Sequence, residues 1–395
     1  MALKIVRETQ AAEMLRSSAF RAQWLSLYER CPWATAGQHP AFVASWYESY
    51  KASWKPLLVC EFSAPGELTG LLPLAIDQSK TVVAGGRQAE YKTWLALPAN
   101  GARFLNDSLT LLSRGAGVRA LTFRYLPPGA PTEDLRLADS LWVCEVETHK
   151  RPIVRLDNGP ELAEYLRQKT NKTLRNSWNR LRRIGIVQLK HVRECHELIP
   201  VFDQLIDWYE VRQEKAHGKR PFKDDPHKKA WHLRLLKEGL LHVTLLKAGE
   251  EIVSALFGLS DGKTYSVMMP MFSEEYAAYS PIAIHHLMLV EQLQADGFLT
   301  LDLTPGPDPF KNRFAGNHED VKALSIYFKQ REWIKAKVRQ RTQAFTKSML
   351  FTFGFAPSTL GRALPRFRAV RGAFQNLISR TLPRWKRDRA KLSYD

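Results

Sequence analysis

The sequence predicts an α+β fold, with two mixed, largely antiparallel sheets flanked by helices and a basic helical tail. Three observations predict it: a hairpin pattern occurs twice, the second half alternates helices with strands, and Lys and Arg gather after residue 330. At 395 residues the chain also exceeds the roughly 250–300 at which one core usually divides. We therefore expect an N-terminal domain over 1–155, a C-terminal domain over 156–330 and a tail over 331–395.

The two hairpin patterns are the first elements. Residues 54–76 form an apolar run, a Pro-Gly turn and a second apolar run. Residues 241–272 form three apolar runs joined by Gly-Glu and Asp-Gly turns, which predicts an antiparallel meander. The Gly-Glu pairs at 66–67 and 249–250 lie 183 residues apart, near half of the chain without its tail. This spacing indicates an internal duplication of one α/β unit, and a chance likeness of two hairpins is the alternative.

A basic helical segment is predicted between the hairpins, over residues 159–185. Pro160 suits a first helical turn and Gly185 suits a helix end. Leucines and aromatics recur at helical spacing, and seven Lys or Arg residues accompany them. Such charge is ordinarily a solvated face, and binding to nucleic-acid or lipid phosphates is the alternative. A second amphipathic helix is predicted over 199–217.

Residues 279–314, YSPIAIHHLMLVEQLQADGFLTLDLTPGPDPFKNRF, predict a helix, a strand and a broken loop in succession. Ser280 suits the N-cap with Pro281 at the first helical position, and Gly297 ends the helix. Residues 298–304 predict a strand, which the cluster PGPDP interrupts before a last strand over 321–328. Because the strand at 298–304 would run parallel to the third meander strand, we expect the sheet to splay there and to expose backbone groups to an extended ligand.

The charge is concentrated in the tail. Of the net charge of +18, residues 331–395 contribute +13, from 16 Lys or Arg and 3 Asp or Glu. Basic and apolar residues interleave over 345–391, a pattern typical of an amphipathic helix at an anionic membrane surface. Docking on the protein body or a partner, disorder, and a merely solubilising tail are the alternatives.

Several classes of protein are disfavoured by what the sequence lacks. The four cysteines are far apart without a Cys-x-x-Cys pair, so neither a disulfide framework nor a metal site is expected. The N-terminus has no apolar signal region, and no stretch reaches the roughly 18–20 apolar residues of a transmembrane helix. We expect a cytoplasmic protein, held at the inner membrane surface if the tail binds lipid.

The order of these motifs resembles the GNAT acyltransferase superfamily, in its CelD/BcsL-like branch, and more distantly the tandem-GNAT Fem-type aminoacyltransferases. The matching segments are GQHPAFVASWYESY, RLRRIGI, YSPIAIHHLM, LDLTPG and FKNRF, within about residues 35–330. The resemblance implies tandem GNAT-like domains with a degenerate N-terminal copy, and acyl transfer from acyl-CoA, most simply acetyl-CoA. One departure is that AAYSPI stands where GNAT enzymes carry a glycine-rich pyrophosphate loop at a helix N-terminus.

Acyl transfer needs donors aimed at the developing oxyanion and a group that accepts a proton. We expect Phe310 and Phe314 to anchor the loop and to present Lys311 between them as a fixed cation, for the oxyanion or for an acceptor phosphate. The Fem-type resemblance favours the oxyanion, and a solvated lysine is the alternative. Asp302 would orient the acceptor or act as a base, or serve as a structural carboxylate. His217 is a further candidate base, or an exposed loop histidine.

The remaining candidates concern binding. Ser280, Pro281 and Ile282 would offer helix N-terminal amides to the acyl-CoA, or simply cap the helix, and Tyr279 would assist the leaving thiolate or pack. The residues predicted to contact the acceptor are Arg212, Arg220 and Trp46.

The expected acceptor is an amine or hydroxyl on a small-molecule or lipid-linked sugar of the cell envelope or of polysaccharide synthesis. Fem-type enzymes use tRNA-borne amino acids, which makes an aminoacyl-tRNA-dependent transferase the main alternative. A non-catalytic scaffold of a polysaccharide-synthesis complex is another. DNA binding is not expected, because no nucleic-acid module is recognised and the charge lies mostly in the tail.

Overall fold

Two β-sheets organise the chain, whose computed structural model describes residues 2–77, 80–115, 117–135, 141–157 and 159–352. The strands are β1 Ala2–Arg7, β2 Lys55–Phe62, β3 Leu68–Ile76, β4 Thr81–Val83, β5 Leu95–Ala96, β6 Ala120–Leu126, β7 Val143–Arg155, β8 Val187–Val192, β9 Leu241–Ala248, β10 Glu251–Ser260, β11 Thr264–Phe272, β12 Thr300–Asp302 and β13 Asn317–Tyr327. The helices are α1 Glu8–Arg16, α2 Ser18–Arg30, α3 Pro40–Tyr50, α4 Gly101–Gly115, α5 Gly159–Lys169, α6 Lys172–Arg182, α7 Cys195–His217, α8 Lys228–Lys237, α9 Pro281–Ala295, α10 Pro309–Phe314 and α11 Gln330–Thr352. In the described ranges, short 3-10 helices cover Ala36–Gln38, Pro98–Asn100 and Glu274–Tyr279.

The first sheet is antiparallel, with strand order β1-β2-β3-β4 and β5 paired to β3. The predicted hairpin at 54–76 is confirmed as β2 and β3, paired from Lys55/Ile76 to Phe62/Leu68. The middle of both strands is buried on both sides, because α1 lies against β2 while α2 and α4 lie against β3. Gly70 permits close packing there, since a Cβ on it would lie 2.4 Å from the Phe104 ring.

The second sheet has eight strands in the order β6-β13-β7-β12-β11-β10-β9-β8. The predicted meander at 241–272 is confirmed as β9, β10 and β11. All described pairs are antiparallel except that of β11 with β12, so the predicted mixed α+β class is confirmed. Strands β6 and β7 precede residue 156 and yet pair in this sheet, while the division into domains at 155/156 stays a prediction.

A continuous apolar core lies between the second sheet and helices α5, α6 and α9. It includes Leu162, Leu181, Leu256, Ile284 and Leu301. The basic segment predicted over 159–185 is two helices, α5 and α6, with Asn171 capping α6 through a hydrogen bond from the Leu174 amide to its side chain (2.9 Å). Among the described residues no helix is both long and apolar enough to cross a bilayer.

Among the described residues, a smaller compact unit is made of Glu210–Asp224 and residues 340–352. Within it the amide of Phe222 donates to Glu210 Oε1 at 2.6 Å, and Arg220 binds Glu214 through two nitrogens at 2.8 Å each. The predicted tail helix beyond residue 352 lies outside the described residues. Both sheets belong to the larger unit, which comprises the residues up to Tyr209 and those from Asp225 to Arg339.

The tight packing inside the second sheet can be tested at Gly258. A Cβ on Gly258 would lie 2.2 Å from the ring of Tyr265, which is completely buried and cannot move away. We expect Gly258→Ala to lower the free energy of unfolding by about 1–3 kcal/mol, measured by urea denaturation. The control is Gly115→Ala, where no atom lies within 4 Å of the new Cβ. Equal stabilities of the two variants would contradict this account of the packing.

Candidate functional site

The predicted splay of the second sheet is confirmed at β11 and β12. The parallel pairing lasts three residues, from Thr264/Thr300 to Ser266/Asp302. Beyond Ser266, β11 continues to Phe272 with β10 on one side and no strand of the described chain on the other. The chain after β12 turns toward β7, where the Leu303 amide donates to the Pro152 carbonyl at 3.0 Å. The two strands therefore part here, and we call the space between them the slot. That an extended ligand binds in it stays a prediction.

The segment carrying Lys311 is a short helix, α10, where the sequence predicted a loop. Asp308 caps it by accepting the Phe310 amide at 2.8 Å, and Pro309 occupies the first helical position. Phe310 and Phe314 stack on each other at 5.5 Å, one helical turn apart. Both rings also contact His286 of α9, at 5.1 and 5.2 Å. The expected anchoring of this segment by its two aromatics is therefore present.

The ammonium of Lys311 is held at the mouth of the slot. Its Nζ donates to the carbonyl oxygen of Thr304 at 3.1 Å and to Thr304 Oγ1 at 2.9 Å. Since an ammonium has three protons, one remains for a ligand. Burial lowers the pKa of Lys311, and the negative charge of Glu90 is the largest opposing influence. The geometry therefore differs from that of a freely solvated lysine.

Thr304 holds an unusual backbone conformation, with φ at +62°. This left-handed region is unfavourable for a β-branched residue. The conformation presents both the carbonyl and the hydroxyl of Thr304 to Lys311, and its amide donates to Asp302 Oδ1 at 2.7 Å. The strained backbone of Thr304 therefore places both oxygens that hold the Lys311 ammonium.

Asp302 is completely buried and fully engaged. Arg151 of β7 donates to its Oδ2 at 3.0 Å, and the Ser266 hydroxyl lies 3.4 Å from the same oxygen. Arg151 also pairs with Glu319 at 3.1 Å, and its guanidinium lies 5.3 Å from the ring centre of Tyr91. Of the roles predicted for Asp302, this arrangement favours the structural carboxylate, because its oxygens are occupied and shielded. Arg151, Asp302, Thr304 and Lys311 form one chain of hydrogen bonds, the Lys311 cluster.

Side chains of α5 hydrogen-bond to the C-terminal end of α10. The Tyr165 hydroxyl donates to the carbonyl of Phe314 at 2.6 Å. Lys169 donates to the carbonyls of Arg313 and Ala315. These bonds satisfy carbonyls that a helix end leaves without partners and fix α10 against the core.

Three charged residues from the first half of the chain act at this site, and sequence reasoning missed them. Arg124 of β6 lies 3.5 Å from Glu90, and Glu90 acts electrostatically on both Lys92 and Lys311. Lys92 forms no hydrogen bond or ion pair through its side chain within the described part of the chain. Burial, followed by the charge of Arg124, lowers its pKa to about 8. No motif marks these residues; only the folding of β6 and β7 into the second sheet places them here.

His286 is a further residue that sequence reasoning missed. Its Nδ1 lies 2.7 Å from the Ile282 carbonyl, which can only accept, so Nδ1 carries the proton and Nε2 has a free lone pair. Burial lowers the pKa of His286 to about 4, and the charge of Lys311 contributes in the same direction. A neutral imidazole therefore lies beside Phe310 and Phe314. The signal available was its position in the helix that begins at the Ser-Pro motif.

The N-terminus of α9 offers less than the sequence suggested. Ser280 has left-handed dihedral angles, its amide donates to the Ala277 carbonyl, and its carbonyl accepts from Ala283 and Ile284. Pro281 has no N–H, so Ile282 contributes the one amide of the predicted three without an acceptor in the described structure. Tyr279 is half-buried, with the Arg180 guanidinium 5.9 Å from its ring centre. Of the amides at this helix end, that of Ile282 is therefore left for a ligand, and the predicted binding of acyl-CoA by Ser280, Pro281 and Ile282 stays a prediction.

The other predicted site residues do not take part in the hydrogen bonds of the Lys311 cluster. Trp46 is 1% exposed, and its indole N–H donates to Gln88 Oε1 at 3.2 Å, an arrangement typical of a packed side chain. Arg212, His217 and Arg220 belong to the smaller unit, where His217 is the exposed last residue of α7 and Arg220 is paired with Glu214. Their predicted roles stay predictions.

Comparison with known proteins found one matching family model and several similar structures. Residues 168–312 match the family model of the acetyltransferase (GNAT) domain. The chain is similar in structure to FemX, with a TM-score of 0.53 and 11% identity over 80% of this chain and 98% of that one. It is also similar to the C-terminal domain of an Agrobacterium fabrum protein assigned as a lysylphosphatidylglycerol synthetase, with a TM-score of 0.52 and 14% identity over 83% of this chain and 95% of that one. A third similar structure is L-PGS from Bacillus licheniformis, with a TM-score of 0.50 and 14% identity over 80% of this chain and 94% of that one. No curated protein matches the chain.

At these identities the structural likeness establishes the fold alone. Together with the match to the family model, it confirms the expected GNAT-like acyltransferase fold. The CelD/BcsL-like branch is not distinguished by these comparisons and stays a prediction.

Proposed function

We propose that this protein is an acyltransferase that moves an acyl group, most simply acetyl from acetyl-CoA, to an amine or hydroxyl of a sugar or cell-envelope precursor. The observation that carries the proposal is the Lys311 ammonium, held by Thr304 at the point where β11 and β12 part. A thioester in the slot would place its carbonyl oxygen against the free proton of Lys311.

The residues fit the steps of such a transfer. The acceptor nitrogen or oxygen attacks the carbonyl carbon, and the electron pair of the C=O bond moves to oxygen as an oxyanion that Lys311 stabilises. The C–S bond then breaks and the thiolate leaves. The acceptor's proton would go to His286 Nε2, directly or through a water molecule.

A second candidate donor, an aminoacyl-tRNA, is favoured by two observations. In the described structure the α9 N-terminus has one free amide where acyl-CoA pyrophosphate would need several. Helix α6 and the residue after it expose five cations that form no ion pair with a carboxylate of the described chain, a surface suited to a polyanion. These cations are Lys172, Arg175, Arg180, Arg182 and Arg183.

The donor is tested by thermal stabilisation of the full chain against acyl-CoAs, charged tRNA and nucleotide sugars. A ligand at 100 times its dissociation constant should add about 2.7 kcal/mol to the free energy of unfolding. Stabilisation by acetyl-CoA supports the first donor. Charged-tRNA binding that weakens steeply with salt, and weakens in Arg175→Gln/Arg180→Gln, supports the second. The absence of any shift would favour the non-catalytic scaffold and overturn the proposal.

The charge state of Lys92 allows the charge of the acceptor to be tested by varying the pH. We expect an acceptor that carries phosphate or carboxylate to bind near Lys92 and Arg124, because Lys92 has no side-chain partner among the described residues. Lys92 is charged below its pKa of about 8 and neutral above it. The affinity for an anionic acceptor should therefore fall as pH rises from 7 to 9, roughly tenfold per pH unit above the pKa if one charge is decisive. Isothermal titration calorimetry of the acceptor between pH 7 and 9 measures this change in affinity. The variant Lys92→Met should bind with an affinity that no longer depends on pH in this range. If the pH dependence were the same in Lys92→Met, Lys92 would not be the group that binds the anion.

A further inference from the structure

We propose that His191, His242 and Asp296 form a binding site for a divalent transition-metal ion of the zinc class, separate from the Lys311 cluster. No sequence motif predicts this site, because the three residues are far apart in the chain and follow no recognised ligand spacing. The fold brings them to one place at the edge of the second sheet.

The three side chains converge from three elements. His191 lies on the edge strand β8, His242 lies on its neighbour β9, and Asp296 directly follows α9. The two imidazole rings stack with centres 4.0 Å apart and planes 21° apart. One ligand atom from each of the three residues lies within 4.8 Å of the other two.

The imidazole nitrogens lack other partners. Nδ1 of His191 and both ring nitrogens of His242 are buried without a hydrogen bond in the described structure. His242 is 7% exposed, and the rings of Tyr265 and Phe298 contact its ring edge to face, at 5.1 and 5.9 Å. Buried nitrogens without partners are costly, so a ligand that accepts their lone pairs is expected.

The charges around the site also admit a cation. Asp296 lies at the C-terminal end of α9, where the helix dipole favours positive charge. One of its oxygens accepts from Gln292 at 3.0 Å, and its exposure leaves the carboxylate free to rotate. The charge of Arg193 disfavours a positive charge at both imidazoles, and at His191 the charges of Asp296 and Glu197 oppose it.

The ligand set selects the ion. Two imidazoles and a carboxylate suit Zn²⁺ and its neighbours, whereas Ca²⁺ and Mg²⁺ prefer oxygen ligands. Metal–ligand distances of about 2.0–2.2 Å require ligand atoms about 3.3 Å apart, so the side chains must close by up to about 1.5 Å and the stacked rings must tilt. A water molecule would take the fourth position.

The bound ion would join the edge strand β8 to β9 and to the end of α9. Strand β8 pairs with β9 alone among the described strands, so its backbone is the part of this sheet that a cross-link would protect most. The site lies before β12 in the chain, whereas Thr304 and Lys311 follow that strand.

The test uses the full chain without an affinity tag, stripped of metal with EDTA and titrated with ZnCl₂ by calorimetry. We expect one Zn²⁺ per chain, and Co²⁺ in its place should give the intense visible absorption of a tetrahedral complex. His242→Phe keeps a ring between Tyr265 and Phe298 and should weaken Zn²⁺ binding by about 100-fold or more, because even outer-shell changes cost 10–100-fold. Asp296→Asn alters an exposed residue, so it tests the site without risk to the core. The exposed His196→Ala is the matched control and should bind like the wild type.

Hydrogen exchange supplies an independent readout. Zn²⁺ should slow the exchange of the amides of Val187–Val192 in the wild type and leave them unchanged in Asp296→Asn. Failure of the wild type to bind Zn²⁺ would overturn the proposal, as would equal binding by the wild type, His242→Phe and Asp296→Asn.

Discussion

Lys311→Ala is expected to reduce kcat by about 10²–10³, the usual effect of removing one donor to a developing oxyanion. The structure explains why the loss should fall on kcat. Thr304 holds the ammonium by two hydrogen bonds, so the charge is already in place when the oxyanion forms. The KM of the acyl donor should change little, because the slot between β11 and β12 remains. Steady-state kinetics with the donor and acceptor identified by stabilisation would measure both constants.

The controls separate chemistry from folding. Lys311→Arg should not restore activity, because a guanidinium is larger than the ammonium that fits against both oxygens of Thr304. Lys329→Ala removes an exposed lysine that forms no ion pair within the described structure, and it should behave as the wild type. Because Lys311 is largely desolvated, its loss should not lower the melting temperature greatly. A Lys311→Ala enzyme with kcat near that of the wild type would refute the assignment.

Asp302→Asn is expected to lower the free energy of unfolding by about 3 kcal/mol, the lower end for breaking a buried ion pair by removing one partner. Asp302 is 0% exposed and the side chain of Arg151 only 13%, so the loss would leave a shielded cation. Glu319 still pairs with Arg151 and limits the effect. Urea denaturation at neutral pH measures it.

A matched pair on the same sheet tests whether burial is the cause. Lys150 and Asp320 are 2.6 Å apart, with side chains 66% and 58% exposed. Asp320→Asn should therefore cost at most about 1 kcal/mol. The double variant Arg151→Met/Asp302→Asn should recover part of the stability lost in Asp302→Asn, because no buried charge is left without its partner. Equal losses for Asp302→Asn and Asp320→Asn would show that burial does not decide the cost.

Local sequence signals predicted the elements around the slot. The Gly-Glu and Asp-Gly turns located the meander, and Ser280 with Pro281 located the start of α9. The order of these elements then implied the parallel pairing of β11 and β12, with the splay at their end. The helix α10 was missed, although Asp308 and Pro309 form an ordinary helix start; the surrounding Pro and Gly residues favoured a loop.

The rest of the site depends on pairings between distant segments. The ion pair of Arg151 with Asp302 joins residues 151 positions apart, through the pairing of β7 with β12. Strand pairing across such separations is decided by the packing of the whole sheet, which no turn or helix-cap motif encodes. Glu90, Lys92 and Arg124 were missed for the same reason, since each is an ordinary charged residue until β6 joins the second sheet.

The strands of the second sheet come from both halves of the chain, and this limits how the protein can be shortened. Strand β13 hydrogen-bonds to β6 and β7, and β12 has β7 as one of its two neighbours. A fragment that starts at residue 156 would deprive β13 of both partners and expose one side of β12, including Asp302. Such a truncated chain would offer open strand edges for self-association. Any attempt to produce the second sheet alone must therefore begin before β6, near residue 117.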